Sequence, residues 1–220
     1  MGHAIEAYAL PLGHEVTHKI DLGDPWPDTL EADVAIEFTT PKTAVENMLR
    51  CFERKIPVVC GTTGWYDRYE EVCDECCRKG GRLVTATNFS IGMNIVFALN
   101  EYLARLMSNC PYKVGIAETH HVHKLDAPSG TAITLQQQIV NNSHRKAEDV
   151  PITSYREGEV PGTHTIAYES TVDTIYLTHE AHNRIGLAQG AVIAAEWLTK
   201  AAPGVYTMKD LLNETSGEGK

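Results

Sequence analysis

The sequence has no excess of positive charge: 19 Lys and Arg stand against 29 Asp and Glu, a formal net charge of −10. Nucleic-acid binding needs Lys and Arg gathered on some face to neutralise phosphates, so this balance argues against such a partner. No run approaches the roughly 18 unbroken apolar residues of a membrane span. The opening Met1-Gly2-His3 is not the basic stretch followed by an apolar one that marks a secretory leader. A cytoplasmic enzyme, with neither membrane nor nucleic acid as partner, is the expectation. Six cysteines are present, but a chain of this length without a leader does not read as a disulfide scaffold. Cys73, Cys76 and Cys77 stand at i, i+3 and i+4, on one face of an expected helix. A lone C-x-x-C lacks the four ligands of a structural zinc site. These are read as a buried or half-buried thiol cluster, and no metal is assigned.

What is present is an ordinary apolar content, 43% of 220 residues, enough for one large core or two smaller ones. The first half alternates short apolar strands with amphipathic helices. A helix is expected over 3–10, closed by Pro11 and Gly13, then strands at Glu15–Ile20 and Val34–Phe38. Thr40-Pro41 has the form of a helix start, with Ala44, Val45, Met48, Leu49 and Phe52 at helical spacing. A strand at Ile56–Cys60, a helix at Tyr66–Lys79 and a strand at Leu83–Ala86 follow. This alternation predicts a parallel, doubly wound sheet. The second half predicts a helix over Met93–Met107, a strand over Lys113–Glu118, a helix from Ser129 through Val140, a loop over 143–162, paired strands at Thr163–Tyr168 and Thr174–His179, and a helix over Ala191–Lys200. That order fits an α+β domain inserted into the first.

Three segments carry chemistry, each beginning where a strand is expected to end, the place where ligands bind in open α/β sheets. Gly61-Thr62-Thr63-Gly64 reads either as a backbone cradle with hydroxyl donors or as a plain tight turn. Ala86-Thr87-Asn88-Phe89-Ser90 reads either as a platform for a flat cofactor or as a capped helix start with Phe89 in the core. The third runs from Glu118 through His120, His121, His123, Lys124, Asp126 and Pro128 to Ser129-Gly130-Thr131. Histidine suits proton transfer near neutrality, lysine supplies positive charge, and a helix N-terminus offers N–H groups to a carboxylate. Together these describe a pocket that binds an anion and protonates it. A metal site is disfavoured because a lysine among the ligands would repel a cation; a solvated loop leaves Lys124 and the helix start unexplained.

Glu-x-His-His-x-His-Lys-x-Asp-Ala-Pro-Ser-Gly-Thr-Ala, here Glu118–Ala132, resembles the signature of the 4-hydroxy-tetrahydrodipicolinate (dihydrodipicolinate) reductase family. Gly61–Gly64, Thr87–Ser90, Gly162-Thr-His-Thr165, Gly190-Ala191 and Trp197-Leu198 match that family in the same order. The resemblance implies a Rossmann-type dinucleotide-binding domain at 1–90 plus 185–220. It implies a substrate-binding and oligomerisation domain on a mixed sheet at 91–184, and a homotetramer. It further implies reduction of a small dianionic cyclic imine by NADH or NADPH in lysine and diaminopimelate biosynthesis. Carried over by position, His120 and Lys124 match the proton-donating pair, and His121, Gly130 and Thr131 match substrate binding. Gly61, Thr62, Thr63, Ala86, Thr87, Asn88 and Phe89 match cofactor contacts.

The family opens with a strand and a glycine-rich turn, whereas Met1-Gly2-His3 resembles only the end of that turn. The expectation is therefore an incomplete pyrophosphate site in the chain as given, and tighter dinucleotide binding if about ten residues preceded it. Asp21 lies near the roughly 20-residue spacing at which an acidic residue meets the ribose, and Leu22 and Gly23 bring no arginine for a 2′-phosphate. A small preference for NADH is expected. Two functions stay open at this point: an active reductase, or a non-catalytic or cofactor-deficient relative that keeps the substrate pocket and the oligomer.

Overall fold

The computed structural model describes residues 1–21 and 23–215. The chain separates into two units, one formed by residues 1–90 and 187–220, the other by 91–186. In chain order the first unit starts with α1 (Gly2–Ala9), β1 (Ala35–Glu37), α2 (Pro41–Glu53), β2 (Val58–Cys60), α3 (Tyr69–Arg78) and β3 (Arg82–Thr85). The second unit holds α4 (Ile91–Leu106), β4 (Lys113–His120), α5 (Gly130–Asn141), β5 (Ile152–Arg156), β6 (Thr163–Glu169) and β7 (Thr174–Glu180). The chain re-enters the first unit within α6 (Ile185–Leu198) and continues to β8 (Gly204–Tyr206) and α7 (Met208–Thr215).

The first sheet runs β1-β2-β3-β8 and is parallel throughout. Its strands are short and wholly apolar at the centre, Val58, Val59 and Cys60 all being fully buried, as expected for a sheet covered on both faces. Met48 and Phe52 of α2 and Val72 and Cys76 of α3 close the core beside it. Gly13, in the left-handed conformation, ends the 3₁₀ turn after α1. The parallel α/β sheet is that of the expected Rossmann-type fold.

The second sheet is mixed, in the order β5-β4-β6-β7, with β4 parallel to β5 and antiparallel to β6. Every second residue of β4 is buried, Val114, Ile116, Glu118 and His120, and β6 buries His164, Ile166 and Tyr168 in the same way. Period-two alternation sends these side chains to one face. Met93 of α4 and Leu135 and Ile139 of α5 pack on its apolar part. The polar end of that face is left to Glu118, His120 and His164.

Four local expectations differ from the structure. Glu15–Ile20 forms no strand: no described segment pairs with it, and β-branched residues alone do not make a ladder. The region 143–162 is not all loop, since β5 lies within it and pairs with β4. The strand expected to end at Glu118 runs on to His120, which places that histidine in the sheet. Finally, the three neighbouring thiols are not all covered: Cys73 is half-buried and Cys76 buried, as expected, but Cys77 is not. Cys76 is buried with its thiol toward the Gly204 carbonyl at 3.8 Å, Cys77 is exposed, and all three are free thiols.

Candidate active site

Strand register assembles the central group in the second unit. Glu118 stands opposite Ser154 on β5 and opposite His164 on β6, while His120 stands opposite Arg156. Residues paired across a ladder share a face, so one row of the sheet carries Ser154, Glu118 and His164, and the row beside it carries His120 and Arg156. The Glu118 carboxylate lies against His120 Nδ1. Its Oε1 accepts from Arg156 Nη2 at 3.1 Å and from the Ser129 backbone N–H at 3.2 Å. Burial pushes this carboxyl up, but Ser154, His120, Arg156 and Ser129 together pull it down to about 2. Glu118 is thus a fully buried anion.

His120 is buried, and burial lowers its pKa; Glu118 opposes that, while Lys124 and Arg156 add to it. The His164 ring meets His120 edge to face at 5.0 Å between centroids. Burial and then His120 push His164 down to about 4, so it is neutral near pH 7. His164 Nε2 and Ser129 Oγ are 3.2 Å apart, and the same Oγ accepts from Ala132 N–H at 3.2 Å as the N-cap of α5. The N-terminus of α5 is thereby fastened beside the two histidines. Nothing lies within 4 Å of where a side chain at Gly130 would begin, and Thr131 is buried in the first turn.

The loop after β4 brings Lys124 to the group. Its ammonium sits on Asp126 at 2.8 Å, and Asp126 is held below the usual carboxylate range by Lys124 against the opposing effect of burial. Arg156 accounts for the loop's placement. It donates to the Lys124 carbonyl at 3.3 Å and to the Asp126 carbonyl at 2.6 Å while holding Glu118. His121 is half-buried, with its Nε2 accepting from Arg184 Nη2 at 2.7 Å. His123 faces solvent and pairs with Glu159 at 3.0 Å.

Of the residues singled out in the sequence, His120, Lys124, His121, Gly130 and Thr131 come to one end of the mixed sheet. Glu118, Arg156, His164 and Arg184 belong to the same group and were not assigned roles. Glu118 opened the motif, yet nothing in its type foretells full burial. Arg156 lay in a stretch read as loop. Among the described residues, Glu118, His120 and His164 also have ligand atoms close enough together to hold a metal ion. Arg156 on Glu118, and Lys124 acting on His120, make that pocket unfavourable for a cation.

In the first unit, the carboxyl ends of β2 and β3 carry the remaining candidates. Gly61 has a packing reason to be glycine, because a Cβ there would fall 2.1 Å from the Phe38 ring. Thr62 is buried and its hydroxyl accepts from Thr39 N–H at 2.8 Å, whereas Thr63 and Thr87 are exposed. Asn88 Oδ1 accepts from Ser90 N–H at 2.9 Å, forming a turn before α4. Ala86 is half-buried, and Phe89 is in the core against Phe38, ring centroids 5.7 Å apart. Asp21 lies in an exposed turn, its N–H donating to Asp24 at 2.8 Å. Exposed threonines and glycine backbone at the carboxyl edge of a parallel sheet fit a dinucleotide.

Comparison with known proteins covers nearly the whole chain. Residues 9–89 match the family described as dihydrodipicolinate reductase, N-terminus, and residues 92–212 match its C-terminal counterpart. The chain is 45% identical to a 4-hydroxy-tetrahydrodipicolinate reductase of Christiangramia forsetii, over 97% of this chain and 94% of that one. It is 35% identical to the Methanopyrus kandleri protein of the same name, over 86% of this chain and 74% of that one. Among solved structures it is similar to a dipicolinate-bound dihydrodipicolinate reductase from Paenisporosarcina sp. TG-14. The TM-score is 0.66 at 23% identity, covering 80% of this chain and 71% of the other, a likeness of fold.

Proposed function

The chain belongs to the dihydrodipicolinate reductase family, and from that premise we propose how its own residues carry out the family's reaction. It is an oxidoreductase of lysine and diaminopimelate biosynthesis that reduces 4-hydroxy-tetrahydrodipicolinate to tetrahydrodipicolinate. A reduced nicotinamide cofactor supplies the hydride. Thr63 and Thr87, with the backbone of Gly61, Thr62, Ala86, Asn88 and Phe89, would hold it at the carboxyl edge of the parallel sheet. Asp21 would favour NADH over NADPH, because a carboxylate accepts from ribose hydroxyls and repels a 2′-phosphate.

The substrate is a dianion, and this acidic protein concentrates cationic groups where it would sit. Lys124 offers an ammonium, the start of α5 offers the N–H groups of Gly130 and Thr131, and His121 lies beside Arg184. Hydride addition pushes negative charge onto the substrate ring, and that charge must be stabilised and then protonated. His120 is the group for this: a buried imidazole that feels both the Glu118 carboxylate and the Lys124 ammonium. The observation that carries the reading is the convergence of His120 and Lys124 on the polar end of the mixed sheet. The second unit also presents an exposed outer strand, β7, with Ile175 and Tyr176 uncovered. Its joining to further copies in a homotetramer, in the cytoplasm, is part of the same proposal.

The test is product identity. With the substrate made in situ by condensing pyruvate with aspartate semialdehyde, NADH should be oxidised and tetrahydrodipicolinate should form in equal amount. Oxidation without that product, or product without oxidation, contradicts the reading.

A further inference from the structure

Glu118 performs no step in the reaction as described, yet the site is built around it. Its oxygens divide their work: Oε1 takes the Arg156 guanidinium and the Ser129 N–H, while Oε2 is left to His120 Nδ1. Among the described residues Nδ1 has no other hydrogen-bonding partner, while the Ser154 hydroxyl also bears on the Glu118 carboxylate. An ionised carboxylate only accepts, so Nδ1 must carry a proton and Nε2 becomes the nitrogen free for exchange. Gly162 stands in front of that nitrogen. A Cβ at Gly162 would fall 3.1 Å from Nε2 and 3.2 Å from Cδ2, and its φ of 151° is one that side chains rarely adopt.

We propose that Glu118 is a positioning residue that fixes His120 in the Nδ1–H form and so makes Nε2 the proton-delivering atom, with Gly162 keeping that atom clear. The proposal rests on His120 being the proton donor. In the step, the 4-hydroxyl of the substrate has first left as water, giving an unsaturated imine; that imine gains a hydride from the reduced nicotinamide, which leaves oxidised, and a proton from Nε2 of the imidazolium. The ring is left neutral with Nδ1–H still on Glu118, and water returns the proton to Nε2. The charged and titratable groups facing His120 are Glu118 on its own strand, Lys124 on the following loop, Arg156 on β5 and His164 on β6, with His179 beyond on β7. Only Glu118 favours the imidazolium. Lys124 and Arg156 oppose it, His164 is neutral near pH 7, and burial lowers the pKa of His179.

Two measurements on the full chain decide the matter. Long-range ¹H–¹⁵N correlation spectra of histidine-labelled protein, with His120 assigned by its loss in His120→Gln, read the tautomer of the neutral ring. The expected pattern is a protonated Nδ1 and a bare Nε2; a protonated Nε2 overturns the proposal. In Glu118→Gln, kcat should fall about tenfold or more, as when the carboxylate orienting a general acid is neutralised. KM for the nicotinamide cofactor should not change. The limb of the kcat profile that falls with rising pH should move about 1 unit lower, because the charge favouring imidazolium is gone. An unchanged profile overturns the proposal, and if Glu118→Gln does not fold, the wild-type spectrum decides alone. An inactive wild type with the expected tautomer would sink the functional reading and spare this one. An active wild type with Nε2 protonated would do the reverse.

Discussion

Glu118 and His164 face each other directly across the β4–β6 ladder, one a buried anion and the other a buried neutral base. The pairing makes the stability of this unit depend on pH through both. His164 binds its proton at about 4 when folded against 6.5 ordinarily. The unfolded chain therefore takes up a proton first as the pH falls, and stability present above 6.5 is lost on the way down to 4. Glu118 is depressed to about 2 from 4.5, so its contribution, present above 4.5, is lost between 4.5 and 2. Denaturant melts of wild type should weaken steadily from pH 6.5 to 4, with a slope of up to about 1.4 kcal/mol per pH unit for one proton. His164→Gln should flatten that interval and leave the lower one in place. Equal slopes in both proteins would contradict the assignment.

Lys124 and His120 are separated from His123 by what each touches. His123 lies in solvent against an equally exposed Glu159, where an ion pair contributes little. His120→Ala and Lys124→Ala should each lower kcat by about 10²–10⁴, the usual value of a positioned acid. The dissociation constant for NADH should be unchanged, and His123→Ala should stay near wild type. A crippled His123→Ala beside an active His120→Ala would reverse the assignment.

Arg156 ties the sheet to the loop that carries Lys124. Its removal leaves Glu118 buried without its cation and frees the carbonyls of Lys124 and Asp126. Breaking a buried pair by removing one member costs about 3–5 kcal/mol, and the partial exposure of Arg156 places this case toward the low end. Arg156→Ala should lower the melting temperature and kcat together. Arg156→Lys should rescue little, since one ammonium cannot span the carboxylate and both carbonyls. Full rescue by lysine would show that charge alone matters.

Gly190 and Gly61 test the packing of the first unit. A Cβ at Gly190 would lie 1.7 Å from the Phe89 carbonyl oxygen, and one at Gly61 would lie 2.1 Å from the Phe38 ring. Gly115, with nothing nearer than 3.9 Å, is the control. Gly190→Ala and Gly61→Ala should each destabilise by about 1–3 kcal/mol or more, read as melting temperature, with Gly115→Ala well below them. Comparable effects at all three sites would mean that the close approaches are not what demands glycine.

The parallel sheet was legible because its strands are unbroken apolar runs between helices of clear periodicity, as at Val58–Cys60 and Ala44–Phe52. The anion site was legible because Glu118–Ala132 packs unusual residue types into one stretch. What the sequence concealed was pairing. Glu15–Ile20 has strand composition but no described neighbour to bond. Ile152–Arg156, polar and set between Pro151 and Gly158, becomes a strand only because β4 lies beside it. Arg156 and His164 enter the site through that register, which no local pattern announces. Thr62 shows the converse. Its place in the Gly61–Gly64 turn marked it as a donor to a ligand, yet the fold also uses its hydroxyl to bind Thr39.

The central claim, that this chain reduces the cyclic imine through His120 and Lys124, is tested most directly by one paired assay. Oxidation of NADH is followed on adding freshly condensed substrate, for wild type and for Lys124→Ala at equal concentration and matched cofactor saturation. The account predicts turnover by wild type and a loss of about 10²–10⁴ in the variant. No oxidation by wild type, or equal rates in the two proteins, would contradict it.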